Sequence, residues 1–297
     1  MTNARLAIGY GLALSGAALY ALGGILAKLA FAAGFVPSQL AEIRAILSFL
    51  VLLVAVAVVR PALLRVRRSD LPLLLFFGVV GIAAVNGTYY EAIARLPIGV
   101  ALVIQYTAPV MLLVWARLRG RHVGGRLWIA AALTLVGCYL VVGAYDASLR
   151  AINAEGAAIA IGAACIFALY LGMAEKILRV YSPWTLLLYG LGGASIGWSV
   201  LRFPTLLPWG LVVEQWPLVA GVLFVATLVP YVLTLGAVSL LPAARVGLTA
   251  TFEPVVGAVA ALVLLGELLQ GPQWIGGALV LVGIGLAQTL RPTPASV

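Results

Sequence analysis

Two prolines stand at positions 97 and 109, and two more stand 145 positions later at 242 and 254. Leu96/Leu241, Ala92/Ala237 and Val110/Val255 keep the same offset, and Trp128/Trp274, Gly137/Gly283 and Leu140/Leu286 follow at 146. A single-residue insertion in one loop accounts for the change. The chain therefore repeats itself, and a repeat constrains the fold more than any local motif. Two apolar halves of equal length are the mark of a transporter built from internal repeats.

The solvent of these halves follows from composition. Of 297 residues, 64% are hydrophobic and 9% are charged, where a soluble domain carries roughly 25% charged residues. A spanning helix needs about 20 mostly apolar residues, and only helices or closed barrels satisfy their backbone in lipid. The apolar runs are long and lack the period-2 alternation of a barrel strand. The expected fold is therefore an all-α integral membrane protein of ten transmembrane helices. They are placed at 6–30, 39–60, 71–92, 97–118 and 125–144, then at 155–178, 184–203, 216–238, 243–265 and 272–290. The polar connection near 146–155 divides a first repeat, 1–148, from a second, 149–297.

Charge orients the helices. With the N-terminus in the cytoplasm, Arg60, Arg65, Arg67, Arg68, Arg117, Arg119, Arg121 and Arg126 fall inside, with Arg5, Lys176, Arg179, Arg245 and Arg291. Lys28, Arg44, Arg95, Arg150 and Arg202 fall outside or near the outer ends. The bias places both termini in the cytoplasm. Five helices per repeat is an odd number, so the second repeat enters the membrane inverted. The net charge of +9 belongs to this pattern and not to nucleic-acid binding. The first apolar run is too long for a signal peptide.

Chemistry at a bond finds little support. The chain has no phosphate-binding G-x-x-x-x-G-K-[ST] loop and no H-E-x-x-H metal motif, and no cofactor or metal is expected. Gly193-Ala-Ser-Ile-Gly197 matches the G-x-S-x-G of hydrolases, but the lone histidine, His122, lies in a loop. Close helix packing explains these glycines better, as it does Gly78 and Gly81. Cys138 and Cys165 read as small packing residues, the terminal tryptophans as an interfacial belt, and Glu91 and Arg95 as an i, i+4 pair.

Polar groups at membrane depth remain, and each costs free energy there. Glu253 precedes Pro254 near the middle of the ninth helix. It is a substrate-amine contact or a proton site, or else a buried acid paired with a base such as Arg245. Pro109 and Pro254 each remove a backbone hydrogen bond. Asn86, Tyr89 and Tyr90 share a face of the third helix; Gln105 and Tyr106 lie in the fourth; Thr227, Tyr231 and Thr234 share a face of the eighth. Tyr20 lies in the first helix, Phe167 and Tyr170 in the sixth. Helices five and ten, rich in glycine, can pack within a protomer or between protomers.

From Glu253 to Leu286, with E-P-V-V-G, L-G-E and P-Q-W-I-G-G in order, the chain resembles the EamA family of the drug/metabolite transporter superfamily. The resemblance implies two inverted five-helix repeats and a central cavity built by helices one, three, four, six, eight and nine. Leu19-Tyr20 through Lys28, Phe167-Ala-Leu-Tyr170 through Lys176, and Gln105-Tyr106 are similar to segments of its aromatic amino-acid exporters. Those often carry tryptophan where Tyr20 and Phe167 stand here.

The expectation is a non-enzymatic exporter of aromatic and neutral amino acids and related metabolites in a bacterial inner membrane. Alternating access would expose one central cavity lined by Tyr20, Asn86, Tyr90, Gln105, Tyr170, Tyr231 and Glu253. The partners are then a small-molecule substrate and the bilayer. The alternative is a proton-coupled exporter of hydrophobic cationic drugs, with Glu253 as counter-charge.

Overall fold

A computed structural model describes residues 3–93, 95–96, 98–146, 154–265 and 268–289. All regular structure among these residues is helical. Among the described residues, seven helical stretches are long and apolar enough to cross a membrane, and the shorter helix Gly125–Val141 is also apolar. Their outward faces carry residues such as Val58, Val200 and Leu201, each more than three-quarters exposed. In water such faces would drive aggregation; in lipid they need no cover.

The first two helices are α1 (Asn3–Ala32) and α2 (Pro37–Val59). The third apolar run is continuous but uneven. It passes from α3 (Leu71–Phe76) through a π-helical segment, Phe77–Ala84, into α4 (Val85–Ile93). The fourth run, expected as one helix, is two pieces: α5 (Ile98–Gln105) and α6 (Ala108–Leu118). Then come α7 (Gly125–Val141), α8 (Ala154–Ile177), α9 (Pro183–Leu201) and a short α10 (Trp209–Glu214). Next, α11 (Trp216–Leu223) leads through a second π segment, Phe224–Leu228, into α12 (Val229–Leu240). The ninth run is again divided, into α13 (Ala243–Ala250) and α14 (Phe252–Leu265), and α15 (Gly271–Thr289) closes the fold.

These interruptions have local causes. A proline lacks the N–H that would reach the carbonyl four residues earlier, and its ring clashes with that carbonyl. For Pro109 that carbonyl is Gln105, where α5 ends; for Pro254 it is Ala250, where α13 ends. Thr107 and Thr251 each return a hydroxyl to a nearby carbonyl, Ile104 and Leu248, at 2.6 Å. Pro230 has the same effect on α12 and is preceded by the π segment, where the Thr227 hydroxyl takes the Val222 carbonyl at 3.0 Å. No proline explains the first π segment. It contains Gly78 and Gly81, and Gly78 lies against the backbone of α9.

Glycine decides the closest helix contacts. A Cβ built on Gly78 would fall 2.1 Å from the Gly190 carbonyl oxygen, and one on Gly193 would fall 2.2 Å from that of Leu75. The G-x-S-x-G pattern is thus a packing surface, and Ser195 returns its hydroxyl to Leu191 at 2.8 Å. Helices α7 and α15 pack against each other within one chain. A Cβ on Gly137 would meet the Gly276 oxygen at 2.7 Å and Val280, while one on Gly283 would meet the Ala130 oxygen at 2.9 Å and Thr134. Gly276, Val280 and Gly283 stand 146 positions after Ala130, Thr134 and Gly137, so the same contact is made twice across one interface. Cys138 is buried and Cys165 exposed, and both are free thiols.

One hydrophobic cluster joins α1, α2, α3, α8, α9, α12 and α13, from Tyr10 and Val56 through Phe77, Tyr170 and Tyr231 to Val246. Smaller separate clusters lie on α1, α2 and α11 around Phe35 and Leu40, on α4, α5 and α8 around Ala92 and Ala160, and on α6, α7, α13 and α15 around Leu113, Ala130 and Ala287.

Candidate substrate site

The site lies where the irregular helices meet. Asn86 lies in the first turn of α4, just past the π segment. Its Nδ2 donates to the Ile82 carbonyl at 2.6 Å and to the Tyr231 hydroxyl at 3.4 Å. Its Oδ1 accepts from the Arg44 guanidinium of α2. One amide therefore ties α2, α4 and α12 together. Arg44 is about 10 Å in from Pro37 along α2, so its charge is well inside the bundle.

Aromatic rings form the walls. Tyr231 meets Tyr20 of α1 edge to face, with ring centroids 5.7 Å apart, a favoured geometry for aromatic pairs. On α8, Tyr170 stacks on Phe77 at 5.2 Å and on Phe167 at 6.0 Å. Tyr170 is 4% exposed, and its hydroxyl has no hydrogen-bond partner among the described residues. Tyr20 is joined through Tyr231 to Asn86 and, through Asn86, to Arg44.

Glu253 is in the first turn of α14, where the break before Pro254 starts a new helix. A carboxylate at a helix N-terminus is favoured by the backbone dipole. It accepts from the Tyr106 hydroxyl at 2.9 Å, and Tyr106 occupies the matching break between α5 and α6. Among the described residues no lysine or arginine forms an ion pair with Glu253. Arg245 donates instead to Tyr10 at 3.2 Å, and Tyr10 donates to the Ala287 carbonyl at 3.0 Å. Arg44, Asn86, Tyr231 and Tyr20 form one linked set, and Glu253 with Tyr106 forms another at the helix break.

The sequence model of the EamA-like transporter family matches residues 7–143 and again residues 154–289. The chain belongs to that family. Among curated relatives of this EamA-like protein, the threonine/homoserine exporter RhtA of Salmonella typhimurium is 27% identical over 247 residues, 82% of this chain and 80% of the relative. RhtA of Escherichia coli K12 is 26% identical over 243 residues, 80% and 79%. An uncharacterized transporter of Archaeoglobus fulgidus is 30% identical over 245 residues, 81% and 85%. A solved crystal structure matches the fold with a TM-score of 0.74 at 20% identity, covering 97% of both chains.

Within this EamA-like chain, the residues singled out from sequence do not all meet. Tyr20, Asn86 and Tyr231 are linked by a ring contact and a hydrogen bond, Tyr170 stacks on Phe77 and Phe167, and Glu253 bonds Tyr106. Gln105 ends α5 half-buried, and its side chain makes no hydrogen bond among the described residues. The Tyr90 side chain lies outside the described residues. Thr227 turns back on its own helix. Two residues of the cluster are absent from the set expected to line the cavity. Tyr106 yields there to its neighbour Gln105, and Arg44 reads as a charge near the outer end of its helix. The signal for Arg44 is nonetheless present, since an arginine seven residues into an apolar helix is a charge at depth. Glu91 and Arg95 do pair, and Glu155 adds a second carboxylate 3.3 Å from Arg95.

Proposed function

We propose that this protein exports neutral amino acids across a bacterial inner membrane by alternating access to one central site. The observation that carries the proposal is the linked set of Arg44, Asn86, Tyr231 and Tyr20 inside the helix bundle, with the Glu253–Tyr106 pair at the helix break. Apolar and aromatic walls with a few charged anchors suit a small amphipathic molecule. The exporters of threonine and homoserine among the relatives put small hydroxy amino acids first, with aromatic ones as a second set.

The architecture we assign is ten transmembrane helices in two inverted repeats, 1–148 and 149–297, with both termini cytoplasmic. In support, the family model matches the chain twice. The helix breaks before Pro109 and Pro254 and the two π segments recur at the 145-residue offset. Lys and Arg concentrate at one end of the bundle. Interrupted helices at the binding depth are a common feature of transporters with such repeats.

Efflux of labelled threonine, homoserine and phenylalanine from preloaded proteoliposomes, with and without a pH gradient, tests the proposal. Release of an amino acid above that of protein-free vesicles is the expected result. Release only under a gradient makes Glu253 the leading proton site, and Glu253→Gln then abolishes the gradient dependence. No release of any amino acid overturns the reading.

A further inference from the structure

The outward face of α6 carries a groove that lies apart from the candidate substrate site. It is about 290 Å³ in volume, lined by Val110, Met111, Val114, Trp115 and Leu118 with Leu135 of α7. These α6 positions recur at helical spacing along one face, while Pro109 and Leu113 are buried on the other. The Thr107 hydroxyl, at the far end of the groove, turns back to the Ile104 carbonyl at 2.6 Å, so the walls are hydrocarbon. Val114, Trp115 and Leu118 are 42%, 54% and 76% exposed. From Thr107 to Leu118 the helix rises about 16 Å, about half of a roughly 30 Å hydrocarbon core. A groove of that reach matches the acyl chains of one leaflet.

The charge at its mouth has one sign. Arg119 follows directly on α6, and its guanidinium lies over the Trp115 ring, 4.6 Å from the centroid. That cation–π contact fixes the charge where the groove ends, and tryptophan favours the headgroup level of a bilayer. Arg117, Arg121 and Arg126 stand close by in the chain, all exposed. The sequence has no acidic residue between Glu91 and Asp146. Among the described residues none of these four arginines forms an ion pair. A guanidinium fork matches a phosphate as well as a carboxylate.

We infer that this groove is a binding site for an anionic phospholipid, with an acyl chain along α6 and the headgroup phosphate on Arg119. Arg117 and Arg121 add to the field at the mouth. A zwitterionic phospholipid offers the same chains, but its headgroup carries a cation that meets only arginines here. The groove therefore selects by headgroup charge, as basic pockets between spanning helices do. The site is independent of which molecule the protein transports.

The test uses the full chain in vesicles of phosphatidylcholine and phosphatidylglycerol, with one or the other brominated on its acyl chains. Bromine quenches tryptophan on contact. The chain has seven tryptophans, so the signal of Trp115 is taken as the difference between the unaltered protein and Trp115→Phe. At Trp115, brominated phosphatidylglycerol is expected to be preferred over brominated phosphatidylcholine by about 5-fold or more, the strength of one arginine near an anionic surface. Arg119→Gln takes that preference close to parity. Arg68→Gln leaves it in place, because that segment is tied to α9 through the Tyr181 and Tyr189 hydroxyls.

Equal quenching by the two lipids in the unaltered protein overturns the site. An equal fall in preference in Arg119→Gln and Arg68→Gln also overturns it, since the attraction then belongs to the whole basic end. Quenching of Trp115 by neither lipid gives the groove to a second copy of the chain and overturns it as well. Arg119 is exposed, so its substitution leaves the fold intact, and the comparison of lipids on the unaltered protein needs no variant at the mouth.

Discussion

Asn86 and Tyr231 stand 145 positions apart in the chain and hydrogen-bond at 3.4 Å. That separation equals the offset of the internal repeat, so a position in the first half touches its own counterpart in the second. The α7–α15 interface is reciprocal instead, with Gly137 against Gly276 and Val280 and Gly283 against Ala130 and Thr134. Asn86 also holds Arg44.

Asn86→Ala removes an acceptor from the Arg44 guanidinium and the tie between α2, α4 and α12. We expect transport to fall about 10-fold or more and stability by about 1–3 kcal/mol, the range for a buried group losing its partner. Tyr231→Phe, which removes one long hydrogen bond and keeps the ring on Tyr20, should cost less than about 1 kcal/mol. Thermal unfolding in detergent with efflux assays on both variants checks this. Equal effects of the two substitutions would show that Asn86 does not organise the cluster.

Pro109→Ala and Pro254→Ala return an N–H to the carbonyls of Gln105 and Ala250. Each broken pair, α5 with α6 or α13 with α14, is then free to run on as one helix. The expected result is a protein of equal or higher melting temperature with a several-fold lower transport rate, because the break places Tyr106 and Glu253. Full transport in both variants would mean the breaks are incidental.

Gly137→Ala should destabilise the protein by about 1–3 kcal/mol, the usual cost of overpacking, since its Cβ would lie 2.7 Å from both the Gly276 oxygen and Val280. Gly285→Ala, on the same α15 interface helix but with nothing within 4 Å of its Cβ, should be neutral or stabilising by up to about 1 kcal/mol through helix propensity. Melting temperatures of the two variants decide the comparison.

At the end of the bundle that holds Asn3, the Glu175 carboxylate accepts from the Ala243 N–H at 2.8 Å and lies 3.9 Å from Arg179. This links the end of α8 to the start of α13. Nearby, Tyr181 donates to Asp70 at 2.6 Å and accepts from the Arg67 N–H at 3.2 Å; the Asp70 hydrogen bond raises the Tyr181 hydroxyl above the usual phenol range. Glu175→Ala should loosen this end, and a cysteine placed by Val246→Cys should then label several-fold faster with a water-soluble maleimide. An unchanged labelling rate would show that the Glu175 contact does not hold this end together.

Much of this protein is legible in the chain because its causes are local. Apolar runs of membrane length make helices wherever they occur, and a proline disrupts the helix at the carbonyl four residues before it in any context. The glycine surfaces of α7, α9 and α15 are visible for the same reason, and the duplicated prolines announce the repeat. What the sequence could not decide is which polar residues face one another. Arg44, Asn86 and Tyr231 lie on different helices, and their meeting depends on how each helix is rotated and tilted. That rotation follows from the backbone approach at Gly78 and Gly193, from the π segments before Asn86 and Tyr231, and from the break that puts Glu253 at the start of α14. Close packing between distant segments sets these angles, so the sequence shows Arg44 at depth in its helix and only the folded bundle shows that it faces Asn86.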